Sequence, residues 1–93
     1  ADINVSVAYP SNLQNVREIL YALISADKKV LQDRDKVIFV NELADSGIDL
    51  IVRCWFKNED YWDGISRLRE NIKNALDEND IDIPYSQLDV HMR

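Results

Sequence analysis

Ile48-Asp49-Leu50-Ile51-Val52-Arg53-Cys54-Trp55-Phe56, residues 48–56, is the longest apolar-rich extended stretch of the chain, and its alternation decides the fold. Ile48, Leu50, Val52, Cys54 and Phe56 fall on one side of an extended chain; Asp49, Ile51, Arg53, Trp55 and Lys57 fall on the other. Side chains of a strand alternate between faces, so this is a strand with one face turned to a core. Just before it, Asp45-Ser46-Gly47 is a turn signal. Before that turn, Val37 to Glu42 reads as a shorter strand, with Val37 and Phe39 on one side and Ile38 and Val40 on the other. After it, Asn58 opens a helix with Glu59 and Asp60 in the first turn, where acidic side chains complement the helix dipole. The apolar stripe of that helix is Trp62, Ile65, Leu68, Ile72 and Leu76, with Ala75 adjacent, and Asn79 suits a left-handed C-terminal position. Ile81, Ile83 and Pro84 then lead into a last strand, Leu88 to Arg93.

At the other end, Ile3, Val5, Val7 and Tyr9 alternate with Asn4, Ser6 and Ala8, giving a first strand that Pro10 ends. Ser11 stands three residues before Gln14, the spacing of a capping box. Leu13, Val16, Leu20, Leu23 and Ile24, with Ile19 beside them, then share one helical face to about Ala26, a helix about 22 Å long. The order is βαββαβ. The fold class is α+β: a ferredoxin-like, four-stranded, mostly antiparallel sheet with two helices on one face, strands one and three forming a central parallel pair.

Two helices on one face leave the other open. On that face the third strand carries Ile51 and Trp55, and the second strand is apolar on both sides. Such a surface is more apolar than a monomer normally exposes. It is expected to pack on another subunit or domain, with Ile51, Trp55, Leu88 and Val90 as the packing residues; the alternative is scattered surface hydrophobics.

The chain has 93 residues, 46% hydrophobic and 30% charged, the balance of one globular domain spanning 1–93. No apolar run reaches the roughly 20 residues that cross a bilayer. The start, Ala1-Asp2-Ile3-Asn4, lacks the features of a signal peptide and lies almost inside a strand, which reads as a piece excised from a larger protein. A net charge of −6 argues against nucleic acid and against anionic membrane surfaces as partners. One cysteine, Cys54, permits no internal disulfide and fits a reducing cytosolic setting.

No set of residues points to a catalytic, cofactor or metal site. Cys54 lies on the strand face assigned to the core, where a thiol is an inert small hydrophobe, and His91 lies near the C-terminus. One Cys and one His do not make a structural zinc site. The cluster Asp77, Glu78, Asp80 and Asp82 lacks the Gly and terminal Glu of a calcium loop and reads as a solvated helix end. Gly47 and Gly64 are the only glycines, so no phosphate-cradling loop is present. RNA-recognition modules share this topology but carry aromatics within a basic surface, whereas Trp55 and Tyr9 lie in an acidic chain. Tyr61-Trp62 reads as an aromatic anchor of the second helix on the sheet. A small regulatory or ligand-binding ferredoxin-like module is the rival to a purely structural role.

Several segments, in order, resemble the C-terminal cytoplasmic region of the small-conductance mechanosensitive channel (MscS) family. They are Val5-Ser6-Val7-Ala8-Tyr9 with Asn15-Val16, then Val30-Leu31, Asn41-Glu42-Leu43, the strand ending Arg53-Cys54-Trp55, Tyr61-Trp62 and Ile72-Lys73. The most specific is the ending Ile81-Asp82-Ile83-Pro84-Tyr85-Ser86-Gln87-Leu88-Asp89-Val90, similar to the family's I-x-I-P-x-P-Q-x-x-V pattern. The chain departs from the family at Asp33-Arg34-Asp35-Lys36, where prolines are common, at Ser86 in place of Pro, and at Asn79-Asp80 in place of Asn-Gly.

The resemblance implies a role rather than a reaction. In such channels transmembrane helices sense tension and line the pore, releasing solutes in osmotic downshift. A β domain and then this α/β domain assemble, typically as a homo-heptamer, into a cage on the cytoplasmic side of the cell membrane, with the last strand leading to a small barrel at its base. The parent would be membrane-embedded, with no cofactor, no nucleic-acid partner and no small-molecule substrate.

Overall fold

The computed structural model describes residues 1–9 and 12–83. In chain order the elements are β1 (Asp2–Val7), α1 (Leu13–Ala26), β2 (Val37–Leu43), β3 (Ile48–Arg53), a 3-10 turn (Asn58–Asp60) and α2 (Tyr61–Glu78). The sheet has three strands in the order β1-β3-β2. Asp2 lies opposite Arg53 and Val7 opposite Ile48 on one side of β3, while Val37 lies opposite Arg53 and Leu43 opposite Ile48 on the other.

The first and third strands are neighbours as expected, but they pair antiparallel, not parallel. β2 is antiparallel to β3 as well, so β1 and β2 run in the same direction with β3 between them. The physical reason is α1. It carries the chain back along the sheet from the end of β1 to the start of β2, and the tight turn at residues 44–47 then folds β3 into the gap. Among the described residues only β3 has a strand on both sides. The expected last strand, Leu88 to Arg93, lies outside the described residues.

Register fixes the core. Ile3, Val52 and Ile38 form one row across the sheet, and Val5, Leu50 and Val40 the next. Val16, Leu20 and Ile24 from α1 and Ile65, Leu68, Ile72 and Leu76 from α2 join them in one buried cluster. Both helices therefore cover the same face, and each such side chain removed from water contributes about 1.5–3 kcal/mol. β3 ends at Arg53, but the alternation runs on: Cys54 and Phe56 are buried and Trp55 is exposed. Phe56 makes an isolated bridge with Val30. Its ring also occupies the space beside α2 where a Cβ on Gly64 would stand, 2.5 Å from the nearest ring atom.

Element ends correct the sequence reading in detail. The N-cap of α1 is Asn12, whose side chain accepts from the Asn15 N–H at 3.1 Å; Ser11, the expected cap, lies outside the described residues. Past α2 the left-handed residue is Asp80 (φ 57°), not Asn79. Asn79 is held at φ −102°, and its side-chain amide donates at 2.7 Å to the Ala75 carbonyl, which also accepts from the Asn79 backbone N–H at 3.1 Å. The α-helix begins at Tyr61, after the 3-10 turn, and Trp62 is 77% exposed instead of continuing the buried stripe. Tyr61, four residues before Ile65, takes the inward place, is partly buried against the core, and meets the Trp62 ring edge-on at 5.0 Å.

Candidate assembly surface

The open face of the sheet is built from three rows. Asp2, Arg53 and Val37 form the first, Asn4, Ile51 and Phe39 the second, and Ser6, Asp49 and Glu42 the third. The third row exists because the register shifts between Val40 and Glu42, so Asn41 is an extra residue and Glu42 is turned to face Asp49. Ile51 and Phe39 are half-buried and Val37 is 39% exposed. Trp55, past the end of β3, is 43% exposed.

Polar groups border this apolar centre. Arg53 donates to both Asp2 carboxylate oxygens, at 2.8 and 3.0 Å, and its guanidinium carbon lies 5.4 Å from the Phe39 ring centroid. Its hydrogen bonds hold the Asp2 carboxyl below its ordinary value of 3.8. Ser6 Oγ donates to Asp49 at 2.5 Å. Arg34 lies 5.7 Å from the Trp55 ring centroid. One arginine thus stands against the half-buried Phe39 ring and another against the exposed Trp55 ring, an arrangement that keeps apolar surface wetted yet is readily displaced by a packing partner.

Of the four packing residues named from the sequence, Ile51 and Trp55 lie on this open side, separated by Arg53; Leu88 and Val90 lie outside the described residues. The sequence reading did not foresee that β1 presents Asp2, Asn4 and Ser6 here, confining the apolar part to Ile51, Phe39 and Val37 with Trp55 at its end. The alternation of β1 was the signal that could have shown it. The reading also missed exposed Trp62.

Cys54 is fully buried on the core side, and burial pushes its thiol above the ordinary value of 9.0, away from thiolate chemistry. His91 lies outside the described residues, within which no group of three metal-ligating side chains occurs. No helix among them is long and apolar enough to cross a membrane.

A family model described as the C-terminal region of the mechanosensitive ion channel MscS matches residues 1–83. The chain belongs to the MscS family. A small-conductance mechanosensitive channel from Edwardsiella ictaluri is 43% identical over 91 residues, covering 98% of this chain and 32% of the relative. One from Helicobacter pylori is 32% identical over 88 residues, covering 94% and 32%. The crystal structure of H. pylori MscS in its closed state superposes with a TM-score of 0.86 at 30% identity, over 91% of this chain and 34% of that one. This MscS-family chain spans about a third of the length of the relatives it matches.

Proposed function

We propose that this domain is a non-catalytic cage segment of a membrane-embedded, tension-gated channel that opens in osmotic downshift. Residues 1–93 form one domain of a longer polypeptide, on the cytoplasmic side of the membrane, within a homo-oligomer that the family resemblance puts at seven subunits. Ile51, Trp55, Leu88 and Val90 pack between subunits or domains. A fourth strand over Leu88 to Arg93 completes a ferredoxin-like sheet beside β1. Its support is that the Ala8 N–H donates to the Asp82 carbonyl at 2.8 Å, so the chain leaving α2 arrives at the end of β1.

The observation that carries the reading is the likeness to H. pylori MscS, which extends over 91% of the chain at 30% identity, and thus to its sequence as well as its fold. The test is patch recording from membranes holding the whole gene product. Currents that rise steeply with applied suction support the reading; a whole protein that gives none at tensions approaching patch rupture overturns it.

A further inference from the structure

Glu42 and Asp49 break a rule of sheets. The bulge at Asn41 sets them across from each other on the open face, where like charges oppose pairing. Ser6 donates to Asp49, but neither carboxylate has a cationic partner among the described residues. A local rule broken without compensation inside the domain points to a role outside it. This rim lacks a positive charge, and the row beside it is the apolar one of Ile51 and Phe39.

The same chain carries the complement. On α2, Trp62, Ser66, Arg69 and Lys73 recur at helical spacing along one exposed flank. The opposite flank faces α1, since Arg67 and Asn71 line a cleft with Ala26 and Asp27. Trp62 is 77% exposed, and Arg69 has no ion pair among the described residues, while Lys73 is held by a solvated pair with Asp77. Trp62 stands seven residues before Arg69, about 10 Å along the helix. On β3, a point about 10 Å from Asp49 lies just beyond Ile51, at the apolar centre. The directions also agree. The chain leaving α2 reaches the end of β1, where the Ala8 N–H donates to the Asp82 carbonyl, and that end of the sheet holds Glu42 and Asp49. Arg69 is thus nearer than Trp62 to the acidic end of its own sheet. A second copy related by rotation about an axis along the strands keeps that order, so Arg69 meets the carboxylates when Trp62 covers the apolar centre.

We propose that the open face of one subunit is covered by the α2 flank of a second copy, with Trp62 on Ile51 and Phe39 and with Arg69 against Glu42 and Asp49. One patch meets a different patch, the kind of contact that closes rings. The assignment rests on the homo-oligomer proposed above and names the surface that Ile51 meets.

Cross-linking of the whole gene product in its membrane tests the contact. Asn4 is exposed in the row of Ile51 and Phe39, and Ser66 is exposed between Trp62 and Arg69 on the flank. The two lie on opposite layers of one subunit and meet only across the interface. Asn4→Cys combined with Ser66→Cys, treated with a short bis-maleimide, should give a ladder of linked subunits, and neither cysteine alone should. Cys54 is buried and stays out of reach. Glu42→Lys or Arg69→Glu should each slow the linkage about tenfold or more, the effect of a charge pair turned repulsive, and the two together should restore it. Glu42→Lys also removes the repulsion within its own domain, so its denaturant midpoint should rise while linkage falls, an opposition that no folding defect produces. Absence of the ladder, or charge reversals that neither slow nor rescue it, overturns the contact. Suction-gated current without a ladder removes this contact alone, whereas a ladder without current upholds it and removes the channel reading.

Discussion

Gly64 and Phe56 occupy one space. With the ring 2.5 Å from where a Cβ would project, Gly64→Ala forces either the ring or α2 to move, and Phe56 is only 8% exposed. Gly64→Ala is expected to lower stability by about 1–3 kcal/mol, read as a drop in the denaturant midpoint. This outweighs the roughly 1 kcal/mol that alanine ordinarily gains over glycine within a helix. Cys54 gives a pH dependence of known sign. Burial raises its thiol in the folded state, so the folded chain holds this proton more tightly than the unfolded one. Its contribution is full below the ordinary value of 9.0 and is lost as pH climbs from there through the folded value. Unfolding curves on the alkaline side of 9.0 should fall less steeply with pH for Cys54→Ala than for the parent. The burial of Cys54 was legible in the sequence, since its neighbours two residues away on either side are apolar. The exposure of Trp62 was not, because the 3-10 turn that sets where α2 begins leaves no mark in the spacing of apolar residues.

At the level of elements, Asn12 supplies one of the hydrogen bonds that the first turn of α1 cannot make for itself. Asn12→Ala should reduce stability by about 1 kcal/mol, measurable by thermal or chemical denaturation. Between β2 and β3 the bulge at Asn41 sets Glu42 across from Asp49, and like charges in register oppose pairing. Glu42→Lys turns that repulsion into attraction and should raise stability by several tenths of a kcal/mol, an effect that fades in high salt. Periodicity revealed each of these strands, because alternation belongs to the strand itself. It did not reveal that β1 and β3 run in opposite directions. Strand direction depends on where α1 returns the chain and on which gap β3 enters, and neither is written in the residues of β1 or β3.

For the whole molecule, the open face tests the assembly reading. Ile51→Asp places a charge between Asn4 and Phe39 on a half-buried position of that face, away from the helices. The expected outcome is a folded domain whose parent protein no longer keeps its subunits together, seen as a smaller particle by mass photometry after gentle solubilisation. An unchanged particle mass would remove Ile51 from the packing surface. The sheet's topology also has a bearing on how the molecule comes into being. β2 and β3 are joined by residues 44–47, closed by the Ala44 N–H to the Gly47 carbonyl at 2.9 Å, so they can find each other quickly. Asp2 must reach Arg53 across a separation of 51 residues, and that search carries the larger loop-closure entropy. Of these three strands β1 leaves the ribosome before β2 and β3, yet it has to wait for β3 before it can pair. Until residue 53 has emerged, Ile3, Val5 and Val7 have no β3 edge to dock on, and a nascent chain paused there would be a natural client for a chaperone.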